Sequence, residues 1–369
     1  MTQSPSRTAE RDTPRRTAPK AVSRADFHSL VDLAEKWMLA LVVPQDQWQA
    51  LARRRTARLR NFEQRRDNFA SLVTRAIPQE ELARPPTEIA HDHLALWFEN
   101  RLNVMRHFTP WRWRPEAELR GFERLREATQ GGRGAVLWIA DFALQSPFLY
   151  AVLARHGIRP SHFSAPGHGY STTRFGRACL NPILTSVESR YLAERIIMLD
   201  RALPTEIRVL AAMRRVKKRL LEGRVVSVSA LSNDWGPVHV RILNGKTRLA
   251  YGAPGLAHNT GVPVFPVFAT RETDGRNTVT IEAPLQFRSG ANAREAAIQA
   301  THDYAGILDG YIRRYPEQWR GWERYVPGAP AKSSPEIVTT SWQRDVGGAK
   351  PTTTGPSAGV RGKAHRGDD

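Results

Sequence analysis

Cysteine is nearly absent. The 369-residue chain holds one, Cys179, which excludes an internal disulfide and fits a reducing compartment. With no histidine near it in Arg-Ala-Cys-Leu-Asn, Cys179 is expected to be a buried, unreactive thiol rather than a nucleophile. Long apolar runs are missing too. The best stretch, around 37–43, falls far short of the roughly 20 residues that span a bilayer. Residues 1–24 are polar and charged throughout, so neither a membrane span nor a secretory signal is expected. Acidic residues are in deficit, with 36 Asp and Glu against 55 Lys and Arg and a formal charge of +19. That excess calls for an acidic partner: an anionic membrane surface, an acidic carrier protein or nucleic acid. Zinc-ligand spacing, RNP and GXXG elements and a compelling helix-turn-helix are all lacking, so nucleic acid is not expected. His91 and His93 lie two apart, hence on different faces of a helix, which argues against a shared metal. No metal and no cofactor is expected.

What is present suffices for a sizeable core, since 41% of residues are hydrophobic. Ser, Thr, Pro and Arg without periodicity predict a disordered basic tail over 1–24. A helical basic segment over 25–109 should follow. Leu30, Leu33, Ala34, Trp37, Met38 and Leu41 recur at helical spacing within 27–43. An arginine-rich helix is expected over 47–69, and another over 88–108 with Leu94, Leu96, Trp97, Leu102 and Met105 turned inward. A further helix is expected over 116–129. From there strands alternate with helices: strands near 135–140, 161–164, 195–199, 225–231, 262–270 and 278–282, and helices near 147–155, 205–221, 253–259 and 293–314. Asn244-Gly245 reads as a type I′ hairpin turn between 238–242 and 247–250. The pattern predicts an α/β domain over 110–326, a mostly parallel sheet flanked by helices. From Pro327 a Pro/Gly/Thr/Ser-rich tail is expected to be disordered.

The stretch from Gly131 to Pro147 organises the rest. Three glycines punctuate a turn, the apolar run 135–140 reads as a buried strand, and Ser146-Pro147 reads as an N-cap followed by proline at the first helical position. Asp141 lies in the loop between strand and helix, where open α/β sheets place their chemistry. His168, in the polar loop Pro166-Gly167-His168-Gly169-Tyr170-Ser171, is a second titratable candidate. Arg174, Arg177 and Arg190 are candidates for a phosphate or pantetheine. His239 and His258, beside apolar residues, read as structural, and Trp319 and Trp322 as packing anchors.

Four blocks carry a resemblance. The first is Gly132-Arg133-Gly134-Ala135-Val136-Leu137, and the second runs from Met213 to Val226. The third is Gly252-Ala253-Pro254-Gly255-Leu256-Ala257 with Thr260 to Phe268. The fourth runs from Tyr311 to Arg324 and contains Tyr315-Pro316-Glu317-Gln318-Trp319. In this order over residues 120–325 they resemble the bacterial lipid A lauroyl/myristoyl acyltransferase family, within the glycerolipid acyltransferase superfamily.

The resemblance implies a glycerolipid acyltransferase-like fold. It implies transfer of a fatty acyl group from acyl carrier protein or coenzyme A to a hydroxyl of a lipid or glycolipid. It also implies a peripheral position on the cytoplasmic face of the inner, anionic membrane. The family's chemistry rests on a His-x-x-x-x-Asp/Glu pair: the histidine deprotonates the acceptor hydroxyl and the acid orients it. In this chain the histidine position is Asp141 and the acid position Ser146. The family's Asp-Gln pair after a later strand is also replaced, Asp234 falling three or four residues late in Ser229-Ala230-Leu231-Ser232-Asn233-Asp234. Catalysis would therefore use Asp141, Ser146, Asp234 or a histidine from elsewhere such as His168, with Arg174, Arg177 and Gly252 on the substrate. The alternative is a non-catalytic homologue that binds a lipid or acyl group and regulates or scaffolds a partner.

Overall fold

The computed structural model describes residues 20–111, 116–142, 144, 147–164, 168–197, 205–231, 237–288, 290 and 292–328. Of the tails expected over 1–24 and 327–369, residues 1–19 and 329–369 lie outside the described residues, but the inner edge of each is ordered. Lys20 and Ala21 accept backbone hydrogen bonds from Arg174 and Phe175, and Gly328 donates to the Asn244 carbonyl.

Four N-terminal helices come first: α1 (Arg24–Val42), α2 (Trp48–Ala57), α3 (Phe62–Ala76) and α4 (Pro86–Arg106). Ser23 and Asp26 form a capping box at the start of α1, each side chain bonding the other's backbone N–H. The single helix expected over 47–69 is two. Asn61 adopts a left-handed conformation (φ 61°) between them, which breaks the helical ladder and which asparagine tolerates better than most residues. Trp97 is also turned out rather than in, 41% exposed, because the Arg320 guanidinium lies 4.3 Å above its ring.

The α/β part comprises β1 (Glu118–Arg120), α5 (Phe122–Thr129), β2 (Ala135–Ile139), α6 (Phe148–Arg155), β3 (Ser161–Ser164), α7 (Asn181–Ser189), β4 (Glu194–Ile197), α8 (Thr205–Leu221) and β5 (Val225–Ser229). After these come β6 (Pro237–Ile242), β7 (Gly245–Ala250), α9 (Gly252–Thr260), β8 (Val264–Arg271), β9 (Asn277–Ile281), α10 (Ala293–Arg314) and β10 (Val326–Pro327). The main sheet has the order β1-β9-β8-β2-β5-β3-β4. Strands β8, β2, β5, β3 and β4 are mutually parallel, while β9 runs antiparallel to β8 and carries β1 parallel to itself. This is a mixed α/β fold with a mostly parallel central sheet flanked by helices. The helix expected over 116–129 is shorter, since residues 118–120 pair with β9 before α5 begins.

Alternate residues of β2 feed two cores, as the two-residue period of a strand requires. Val136 and Trp138 face α8, α9 and α10, whereas Ala135, Leu137 and Ile139 face α5 and α6. All five are buried, which explains why the strand reads as a continuous apolar run. Trp319 and Trp322 are buried in the first core, 1% and 3% exposed. A third core joins α1 to α4 and α7 through Leu33, Ala40, Leu102, Leu180 and Val187.

Strands β6 and β7 leave the main sheet and form a small antiparallel sheet with β10. Their turn lies one residue earlier than the Asn-Gly signal suggests. Leu243 takes the positive φ (51°) and Gly245 pairs with Ile242. Gly245 is needed for another reason: a Cβ there would overlap the Val326 carbonyl on β10.

Candidate functional site

The parallel strands aim their C-terminal ends at one edge of the sheet. Asp141 follows β2 at this edge and is 8% exposed. Its carbonyl accepts from the Arg320 N–H at 2.8 Å, and its carboxylate lies 3.6 Å from the Arg320 guanidinium. Burial raises the pKa of this carboxyl, while Arg320 and Arg324 oppose the rise. Tyr304 of α10 is close enough for the Asp141 charge to add to the upward shift that burial imposes on its phenol. Its hydroxyl has no hydrogen-bond partner among the described residues. Asp141 is thus held between the sheet edge and the segment following α10, with a guanidinium as its polar partner.

His168 belongs to the loop that follows β3. Its Nε2 pairs with the Glu188 carboxylate, at 2.9 Å to Oε1 and 3.1 Å to Oε2. Glu188, on the last turn of α7, is 0% exposed, whereas the His168 side chain remains 32% exposed. A neutral imidazole donating from Nε2 leaves Nδ1 as its acceptor nitrogen. That nitrogen has no hydrogen-bond partner among the described residues. A histidine at the surface with a buried carboxylate behind it is an arrangement that can serve as a base and its orienting acid.

The loop carrying His168 is held closely. Gly169 adopts φ +134°, and a Cβ there would overlap the Asn181 side chain, so glycine is required next to the histidine. Asn181 binds Ser171 twice, accepting from its N–H and donating to its carbonyl, both at 2.9 Å. The Ser171 and Thr173 hydroxyls donate to the Asp26 carboxylate of α1, the second at 2.8 Å. These hydroxyls hold the Asp26 carboxyl down at about 2 despite the opposing effect of burial, the Ser171 bond having the largest effect. Helix α1 therefore clasps the loop.

Behind the pair lies a buried polar cluster. Nδ1 of His162 on β3 lies 2.7 Å from the Tyr150 hydroxyl and 3.0 Å from the Ser227 hydroxyl, and the Ser227 hydroxyl in turn donates to that of Tyr150. Burial pushes the His162 imidazole down to about 4, so it is neutral near neutral pH, and the nearby Glu188 only partly offsets this. Glu188 also adds to the burial that raises the Tyr150 phenol.

The residues expected to form one site divide into two groups. Asp141 pairs with Arg320 and His168 with Glu188, and no hydrogen bond or ion pair joins the groups among the described residues. Ser146 and Asp234 lie outside the described residues. The start of α6 is one residue later than expected: Pro147 occupies the N-cap position in place of Ser146, and the first helical residue is Phe148. Arg174 and Arg177 flank the clasp: the Arg174 N–H donates to Lys20, and the Arg177 N–H to Thr173. Gly252 opens α9 with empty space where a side chain would stand, two residues after Ala250 donates to Ala230 at the end of β5. Cys179, expected to be buried, is exposed. It lies in a π-helical turn, Gly176–Leu180, which rotates it away from the core reached by Leu180. His91 and His93 bond different carbonyls, those of Arg53 and Glu317. Among the described residues no cluster of His, Cys, Asp and Glu has the form of a metal site.

A cavity of about 330 Å³ opens where α4 meets the segment after α10. Most of its charged walls are paired with one another, while Arg313 pairs with Glu81 and Asp309 outside it. Arg271 bonds Glu99 through both terminal nitrogens, and Arg84 reaches Asp92 and Glu317. None of the expected site residues lines it. Glu188 is the member of the candidate site that the sequence does not announce. A carboxylate in a helix's last turn reads as solvent-facing, and only its neighbours Leu184 and Val187 hint that this face turns inward.

The chain matches no protein-family model and no curated protein.

Proposed function

We propose that the protein transfers a fatty acyl group from an acyl carrier protein or coenzyme A thioester to a hydroxyl of a membrane lipid or glycolipid, with His168 as general base and Glu188 as its positioning acid. The observation that carries this reading is the His168–Glu188 pair at the C-terminal edge of a mostly parallel sheet. Its support in sequence is the resemblance to the lipid A acyltransferase family over the four blocks. Nδ1 of His168 takes the proton from the acceptor hydroxyl as its oxygen bonds the acyl carbonyl carbon. The resulting tetrahedral oxyanion collapses, the carbon–sulfur bond breaks, and the thiolate leaves with the proton held by His168. A buried carboxylate behind Nε2 stabilises the imidazolium formed in between. Asp141, whose carboxylate has Arg320 beside it, anchors the sheet edge to the C-terminal segment. The protein works peripherally on the cytoplasmic face of the inner membrane, where its lipid acceptor lies.

The test follows thiol release from acyl-coenzyme A and acyl-carrier protein in the presence of a lipid extract. It is run beside the lipid mass profile of a deletion strain complemented with each variant. His168→Ala is expected to lower the rate about 10²–10⁴-fold. Glu188→Gln should lower it at least about tenfold and move the rising limb of the pH–rate profile. Asp141→Ala should restore the lipid profile as the native chain does. Full turnover by His168→Ala refutes the assignment of the base. A deletion that leaves every lipid unchanged, with no thiol release, leaves a non-catalytic lipid-binding role in place of the enzyme.

A further inference from the structure

Helix α1 turns an apolar stripe to solvent. Phe27, Leu30, Val31, Trp37, Met38 and Val42 are 38–66% exposed. Their spacing, with Ala34, puts them on one side of the helix. Leu33, Lys36 and Ala40 are buried on the opposite side. From Phe27 to Val42 the stripe is about 22 Å long. It is extended by Trp111 and Phe108, 60% and 39% exposed. The Trp111 indole donates to the Leu41 carbonyl, and the Trp37 indole to that of Phe108, so these rings are fixed beside the end of α1. A patch of this kind, on a helix with its other face packed, marks an interaction surface.

Charge identifies what it meets. The three acids of α1 are occupied: Asp26 is buried in the clasp, Asp32 binds Lys36 and Arg101, and Glu35 binds Lys36 and lies 3.7 Å from Arg55. Lys20, Arg24 and Arg174 are exposed around the start of the stripe, with no ion-pair partner among the described residues. Arg190 lies 5.5 Å from the Phe108 ring at the other end. A second copy of a chain of charge +19 would be repelled. Residues 1–19 bring further arginines and no large apolar side chain beyond Met1 to lay on the stripe. We infer that the exposed face of α1, with Trp37, Trp111 and Phe108 at its end, is a docking surface for an anionic lipid bilayer. The helix lies in the plane of the interface, its rings at headgroup level and its cations on the lipid phosphates. Because Asp26 holds Ser171 and Thr173, this surface brings the His168 loop to the membrane. The inference rests on the peripheral-membrane part of the function proposed above and not on its chemistry.

The test is co-sedimentation of the full chain with vesicles of phosphatidylethanolamine containing phosphatidylglycerol, against vesicles of phosphatidylcholine alone. The native chain is expected to bind the anionic vesicles and to be released by added salt. The double variant Leu30→Gln/Met38→Gln, altered only at exposed positions, should melt like the native chain and bind about tenfold more weakly. Equal binding by the double variant, equal binding to both vesicle types, or no binding by the native chain overturns the inference. So does a native dimer that the double variant dissociates, which would make a second copy the occupant. Binding without thiol release removes the acyl-transfer reading and leaves the docking surface; thiol release without binding does the reverse.

Discussion

Glu99 and Arg271 show how far single side chains join the helical segment to the sheet. Glu99 is 7% exposed on α4, and Arg271 ends β8. They form a two-nitrogen ion pair that the Gln318 side chain surrounds by bonding the Arg271 backbone N–H and carbonyl. A buried pair of this kind adds little net stability over apolar residues, but breaking it leaves a charge stranded. Glu99→Ala is expected to cost about 3 kcal/mol in urea unfolding. Glu99→Leu combined with Arg271→Met should recover most of that loss. A single variant as stable as the native chain would show that Arg271 finds water. At this scale the sequence was a partial guide. His168 was legible as a titratable residue in a polar loop, but its partner lies 20 positions away on a helix, and burial alone separates Glu188 from an ordinary surface acid.

Among the elements, strands and helices with strong periodicity were read almost to the residue, α10 over 293–314 and β2 within one position. The errors have local causes that only tertiary contacts reveal. A left-handed Asn61 divides an arginine-rich helix whose charges gave no hint of a break. Three residues of β1 form a strand only because β9 offers its edge. The hairpin between β6 and β7 turns one residue early because Gly245 must lie flat beneath β10. Gly245→Ala is therefore expected to detach β10 while leaving the main sheet intact. Hydrogen exchange should show protection lost at Val326 and Gly328 and in β7, with retained protection in β2 and β5. Exchange in β10 unaltered by the substitution would contradict the packing argument.

For the whole molecule, alternating strands and helices announced the parallel sheet. The separate three-stranded sheet was not legible, since its edge strand comes from residues 326–327, more than 70 positions after the hairpin. Acid sensitivity also belongs to this scale. Burial pushes His93, His107 and His162 down to about 4 from an ordinary 6.5. The unfolded chain takes up these protons below 6.5 and the folded one does not, so stability is complete above that value and declines as pH falls toward 4. The slope is on the order of 1 kcal/mol per pH unit for each histidine. Urea midpoints should accordingly fall steadily from pH 7 to pH 4.5, and a flat profile would mean that the three imidazoles are protonated in the native state. The exposed Cys179 has a use of another kind. It is the chain's one thiol, and it lies in the turn whose Gly176 N–H bonds Thr173 within the clasp. A maleimide fluorophore added to the native protein attaches at this one place. It turns the protein, with no engineered cysteine, into an optical reporter of whether α1 has kept its hold on the histidine loop.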